Sequence, residues 1–166
     1  MMKPAPLLML SALLSAGLAA EEASEEAMTV TLSRMTLATA TTMAQAAVAE
    51  CTKKGIQIGV TVVDRDGQVQ VALRDTIAAP ITLTISRGKA YAAVNFNVPT
   101  SQLKDRANGP IGRAPGLIMA TGGLPVQVGG QLIGGIGVSG APSGTTDEEC
   151  AKAGIDAVID DLEMAL

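Results

Sequence analysis

From residue 36 to residue 54, Leu37, Ala40, Ala44, Ala47, Val48 and Cys51 recur at steps of three and four, the spacing of one face of an α-helix. Thr36 stands at a capping position and Gly55 follows the last turn, so the pattern predicts a first amphipathic helix. The period then shortens to two. Ile58, Val60 and Val62 alternate along one run, Val69, Val71 and Leu73 along the next, with Asp64-Arg65-Asp66-Gly67 between them. This predicts an antiparallel hairpin with Gly67 in a left-handed turn position. Pro80 fits the first turn of a second helix over 81–96, whose β-branched residues and Gly88 make it weak in isolation, so packing must hold it. Pro99 stops that helix, and Thr100 caps a short third one running through Leu103 to Ala107.

Residues 108–125 are rich in Gly and Pro and form the longest irregular connection, the type of segment that tends to carry function. Residues 125–128 and 131–138 alternate around Gly129-Gly130, a second hairpin. After a loop at 139–145, Thr146 and Glu149 form a capping box, with Asp147, Glu148 and Glu149 at the positive end of the helix dipole. A last helix runs from there to the C-terminus with Ala151, Ile155, Val158, Ile159, Leu162 and Leu166 on one face. The order is α-β-β-α-α-β-β-α. Strands come in adjacent pairs, which predicts an α+β class with a mainly antiparallel sheet of two hairpins and helices packed on it.

Ahead of these elements, Lys3 precedes an apolar run from Leu7 to Leu18, about 12 residues and too short to span a bilayer, which takes about 20 helical residues. With Gly17 and Ala19 before a cleavage point after Ala19 or Ala20, residues 1–19 read as a secretory signal peptide. The repelling Glu21, Glu22, Glu25 and Glu26 predict a disordered acidic linker over 20–31, leaving 32–166 as a single domain. The expected location is periplasmic or secreted, without stable membrane insertion. In an oxidising compartment Cys51 and Cys150 favour a structural disulfide, with two buried free thiols as the alternative.

The chain has 166 residues, 18 of them Gly, and its core must therefore be thin and closely packed. It contains no His, which removes the Ser-His-Asp triad, paired-His zinc chemistry and a proximal His for haem iron. Tyr91 and Phe96 are its only aromatic residues and the formal net charge is −4, so neither a base-stacking surface nor phosphate-backbone binding fits, and nucleic acid is not an expected partner.

Three motifs look like chemistry. Gly135-Ile136-Gly137-Val138-Ser139-Gly140 spells the dinucleotide fingerprint, but it sits late in a hairpin strand and no parallel strand-helix-strand unit follows. Its glycines are better explained as letting a helix or a partner subunit approach the sheet. Ser86-Arg87-Gly88-Lys89 and Ser101-Gln102-Leu103-Lys104 match the SxxK of serine acyl-enzymes without the companion motifs. Asp64 and Asp66 fit turn chemistry better than a metal site. What remains is a softer constellation: the cations Arg87, Lys89, Lys104 and Arg113 near Thr121-Gly122-Gly123-Leu124-Pro125, with Tyr91 and Met119 available to line an apolar slot for a flat acid.

Several blocks together carry a resemblance: Val62-Val63-Asp64, Leu73-Arg74-Asp75, Lys89-Ala90-Tyr91-Ala92, Val98-Pro99-Thr100, Gly122-Gly123-Leu124-Pro125-Val126, Gly134 through Ala141, and Asp147-Glu148-Glu149-Cys150-Ala151. Over residues 32–165 the chain resembles the small haem-binding or haem-degrading family of GlcG-like and HbpS-like proteins, related to the PduO C-terminal domain. The resemblance implies a profilin-like layering, a homo-oligomer such as a dimer or octamer, and haem or a related tetrapyrrole as ligand. Ala92 stands where Thr is common in the family. Without His, the iron ligand is Tyr91, Met119, a threonine hydroxyl or none, and the expected haem complex is weak.

The expected function is an exported small-ligand-binding protein that holds haem weakly, with Arg87, Lys89, Tyr91, Arg113, Met119, Thr121, Gly122 and Gly123 around the ligand. The alternative is a cofactor-free enzyme acting on a small carbonyl or aromatic acid, with Lys89 or Tyr91 as proton carrier.

Overall fold

A computed structural model describes residues 27–165. The expected leader at 1–19, residues 20–26 of the expected acidic linker, and Leu166, expected on the last helix, lie outside the described residues.

Helix α1 (Leu37–Lys53) starts at Thr36, whose Oγ1 accepts the N–H of Thr39 at 3.2 Å. Strands β1 (Gly59–Asp64) and β2 (Val69–Arg74) form the first hairpin. Asp64 Oδ1 accepts the N–H groups of Asp66 and Gln68, both at 2.9 Å, and Gly67 adopts a φ of +80°, as the turn chemistry predicts. Asp64 and Asp66 also hold Arg34, so their carboxylates are already engaged. The second hairpin consists of β3 (Gly123–Val128) and β4 (Gln131–Ser139), and its turn residues Gly129 and Gly130 both have positive φ. Pairing of β1 with β4 joins the hairpins into one antiparallel sheet of order β2-β1-β4-β3. Strand β3 begins earlier than the alternation indicated, because Gly123 and Leu124 pair with Gly137 and Ile136.

Helix α2 (Ile81–Phe96) has the bounds expected of it, but Asn97 ends it in a left-handed conformation, φ 52°, before Pro99 is reached. Residues Thr100–Leu103 form a 3-10 turn and only Lys104–Ala107 are α-helical, as α3. The C-terminal helix departs most from expectation. It is two helices, α4 (Gly144–Asp156) and α5 (Ile159–Ala165), with Val158 turning into the core at the break. The N-cap is Ser143, whose Oγ accepts the Thr146 N–H at 3.1 Å, and not Thr146. Glu149 therefore falls beyond the cap and pairs instead with Lys54 Nζ at 2.6 Å.

One face of the sheet carries α1 and α4. Met43, Ala44 and Ala47 of α1 and Ala151 of α4 close over Val60, Val62, Val71, Val126, Ile136 and Val138 in the main core. The Cys51–Cys150 disulfide ties these helices together with Cα atoms 5.7 Å apart, so the free-thiol alternative does not hold. With its halves 99 positions apart in sequence, the chain-entropy model values such a cross-link at about 4.7 kcal/mol.

The opposite face is covered by α2, and here the sheet is almost bare. A Cβ on Gly137 would fall into the Ser86 carbonyl oxygen and within 2.6 Å of Ala90 N; one on Gly135 would reach Val94 Cγ2 at 2.6 Å. Gly59 lies equally close beneath Thr82, and Gly123 beneath the Lys89 carbonyl. The polar side chains in this layer satisfy each other: Thr61 Oγ1 and Ser86 Oγ are 2.8 Å apart and Ser86 Oγ donates to the Leu83 carbonyl. Gly135 and Gly137 of the apparent dinucleotide motif therefore serve helix approach, on a strand flanked by antiparallel partners, while Gly140 packs on Gln57 and Ile58. Substituting Gly137→Ala should lower unfolding free energy by about 1–3 kcal/mol, because the colliding atoms are backbone and have little room to yield. Urea denaturation measures this, and an unchanged midpoint would mean that α2 does not rest on β4.

Candidate functional site

Seating α2 this way leaves Thr84, Arg87, Gly88 and Tyr91 as a stripe on its outward side, at steps of three and one and three. The long connection crosses the helix at Gly88. There the Ile118 N–H donates to the Gly88 carbonyl at 3.2 Å, and a Cβ on Gly88 would strike Ile118 Cγ1 at 2.6 Å. The residue that weakens α2 as an isolated helix is thus the one that lets the connection lie across it.

Between this connection and the β1–β2 turn runs a groove of about 580 Å³, lined by Gly67, Gln68, Thr84, Arg87, Tyr91 and the segment Pro115 to Ile118. Two glycines bracket the phenol ring. A Cβ on Gly67 would come within 2.6 Å of Tyr91 Cδ2, and one on Gly116 within 3.7 Å of Cδ1. Both have positive φ, +80° and +83°, so conformation favours glycine at each, and at Gly67 the space does as well. The groove thereby combines a flat aromatic wall, the apolar Leu117 and Ile118, and Arg87, an exposed cation with no ion pair among the described residues.

The eight residues singled out by type do not form one site. Arg87 and Tyr91 meet in the groove. Lys89, two positions away on the helix, points the other way: it is 3% exposed and donates to Asp147 Oδ2 at 2.7 Å and to the Val138 carbonyl at 2.8 Å. Gly122 packs on this pair, its absent Cβ 2.8 Å from Lys89 Nζ, while Gly123 donates to Thr100 Oγ1 and Thr121 abuts Gly144. Lys89, Thr121, Gly122 and Gly123 thus gather at the first turn of α4, away from the groove. Lys89 is no open proton carrier. Met119 is buried against Ala92 and Leu103, so the alanine at the family's common Thr position faces core. Arg113 and Lys104 are exposed on the connection and on α3.

Ser86 turns to Thr61 and Ser101 to Glu148, and neither hydrogen-bonds a lysine. What residue type alone misses is Thr84 and Gly88 beside Arg87 and Tyr91 on this stripe, together with its loop wall, although the helical spacing is visible. Asp147 was assigned to the helix dipole; its true partner lies 58 residues upstream.

Burial pushes the Asp147 carboxyl above the ordinary carboxylate range, and the Lys89 ammonium and the Ala141 N–H hold it only partly back. A second cavity of about 510 Å³ lies between the start of α1 and α5, walled by Met35, Thr39, Ile133, Val158 and Leu162, and has no aromatic lining.

A single helix seated on the glycine face of a four-stranded antiparallel sheet, with two helices behind it and a groove outside, places the protein among α+β domains with a lateral ligand-sized groove. Residues 35–156 match the sequence model of the family described as haem degrading protein HbpS-like, and the chain belongs to that family. It is similar to the solved structure of HbpS, with 39% identity, a TM-score of 0.76, and 79% of this chain and 94% of that one covered. It is also similar to the crystallised PduOC–haem complex, with 26% identity and a TM-score of 0.70 over 75% of this chain and 95% of the other. An uncharacterised 15.0 kDa protein of the dhaT-dhaS intergenic region of Citrobacter freundii is 32% identical over 126 residues, 71% of this chain and 86% of its own length. The family resemblance carried by the ordered sequence blocks is thereby confirmed.

The buried pair yields a prediction. Lys89→Met strands the Asp147 carboxylate and should cost about 3–5 kcal/mol near neutral pH. A carboxyl whose folded pKa is raised stabilises the fold below its ordinary value of 3.8 and loses that contribution as pH climbs through the folded value. Loss of the ammonium enlarges the rise, so the deficit of the variant should shrink between pH 7 and pH 4. Denaturation of both proteins across this range reads it; a deficit independent of pH would contradict the assignment.

Proposed function

We propose that the protein binds haem or a related tetrapyrrole in the groove beside Tyr91. The observation that carries this reading is the combination in one groove of a flat apolar wall with a free cation, the complement of a planar ring bearing carboxylates. The size is right for a ligand of this class, whose pockets run from about 300 to 1,000 Å³. Gly67 leaves the Tyr91 edge clear where a Cβ would collide with the ring. The family description and the haem complex of PduOC support the same chemistry. Arg87 would pair with a propionate, Leu117 and Ile118 would cover ring edge, and the bound group would supply iron redox chemistry. Because the groove is open on its outer side, the expected complex is weak.

Export belongs to this reading. The leader at 1–19, the acidic segment at 20–31 and the domain at 32–166 fit a periplasmic or secreted protein, and the Cys51–Cys150 bridge suits an oxidising compartment. Self-association as a dimer or octamer is supported by the exposed Ile77 and Ile81 at the start of α2.

Titration with metal-free protoporphyrin IX tests the groove. Protein at about tens of micromolar should shift its Soret band, and Arg87→Glu should weaken binding about tenfold, the equivalent of about 1.4 kcal/mol, with the difference falling at high salt. A spectrum that stays that of free porphyrin refutes the reading.

A further inference from the structure

We infer that Tyr91 is the axial ligand through which this protein holds ferric haem iron, an inference that rests on the tetrapyrrole reading of the groove. The donor set narrows quickly. The chain contains no His, and both cysteines are consumed in the Cys51–Cys150 bridge. The Met119 thioether is 6% exposed and closed off by Ala92 and Leu103. No carboxylate lines the groove, whose side-chain oxygens belong to Gln68, Thr84 and Tyr91. Of these only the phenol can become an anionic oxygen, the donor that ferric haem takes from tyrosine in catalase-type ligation.

Its setting suits the role. The Tyr91 hydroxyl makes no hydrogen bond to any described residue and is not sealed from solvent. Its ring lies between Gly67 and Gly116, neither of which places a side chain against it. On ligation the phenol would release its proton to solvent and its oxygen would hold the iron. Arg87 lies one helical turn before Tyr91 and places a cation on the same face, where it can meet a propionate.

The test compares haemin with metal-free protoporphyrin IX on the wild type, Tyr91→Phe and Thr84→Val, following visible absorption and resonance Raman. The wild-type haemin complex should show a phenolate-to-iron charge-transfer band and phenolate modes. Tyr91→Phe should lose both and bind haemin about tenfold or more weakly, while its porphyrin affinity stays within about twofold. Thr84→Val, which removes the other hydroxyl lining the groove, should retain the charge-transfer band and the phenolate modes, and their loss there would overturn the assignment to Tyr91. A Tyr91→Phe protein that keeps the charge-transfer band and haemin affinity overturns the ligation while leaving groove binding intact. Failure of porphyrin and haemin alike to bind the wild type overturns both. Far-ultraviolet circular dichroism of Tyr91→Phe should match the wild type, since the hydroxyl supports no contact in the fold.

Discussion

Gly59, Gly123, Gly135 and Gly137 leave the sheet without side chains where α2 crosses it, and the helix comes to rest on backbone. A helix containing Ile81, Thr82, Thr84, Ile85 and Gly88 has little propensity of its own, so this contact supplies the stability that sequence-local terms do not. Position follows from it. With Ser86 and Ala90 fixed against β4, Lys89 is carried to the first turn of α4 and Tyr91 to the outside. The connection that closes the groove then docks through Gly88, a second glycine contact on the opposite side of the same helix.

The buried Lys89–Asp147 pair acts at the other edge of this layer. Each charge is removed from water, and the Val138 carbonyl and the Ala141 N–H complete their hydrogen bonding. Such a pair is costly to break and specific in geometry, since it joins α2, β4 and α4 at one point. The Cys51–Cys150 bridge does the corresponding work on the far face, between α1 and α4. Helix α4 is thus held to the rest of the domain from two sides by contacts of different chemistry.

Much of the fold was legible because its signals are local. Asp64 to Gly67 and Gly129-Gly130 carry turn chemistry in the residues themselves, and Pro80 marks the start of α2. The start of α4 was not legible because its first residue is Gly144, which is there for Thr121 to pack against, so Ser143 did not look like a cap. Grouping Arg87, Lys89, Lys104 and Arg113 by charge failed for a similar reason. Adjacent helix positions point about 100° apart, and 87 and 91 share a face that 89 does not. The partner of Lys89 is far away in the chain, and only the three-dimensional arrangement discloses it.

Membership of the HbpS-like family supports haem-related binding, and the Tyr91 groove is the site we propose for it. Mapping amide shifts by two-dimensional NMR as protoporphyrin IX is added locates the ligand directly. The account predicts that Gly67, Gly88, Gly116 and Leu117 move first and that residues around Met35 and Leu162 stay in place. Shifts centred on that second cavity, with the Tyr91 groove silent, would contradict it.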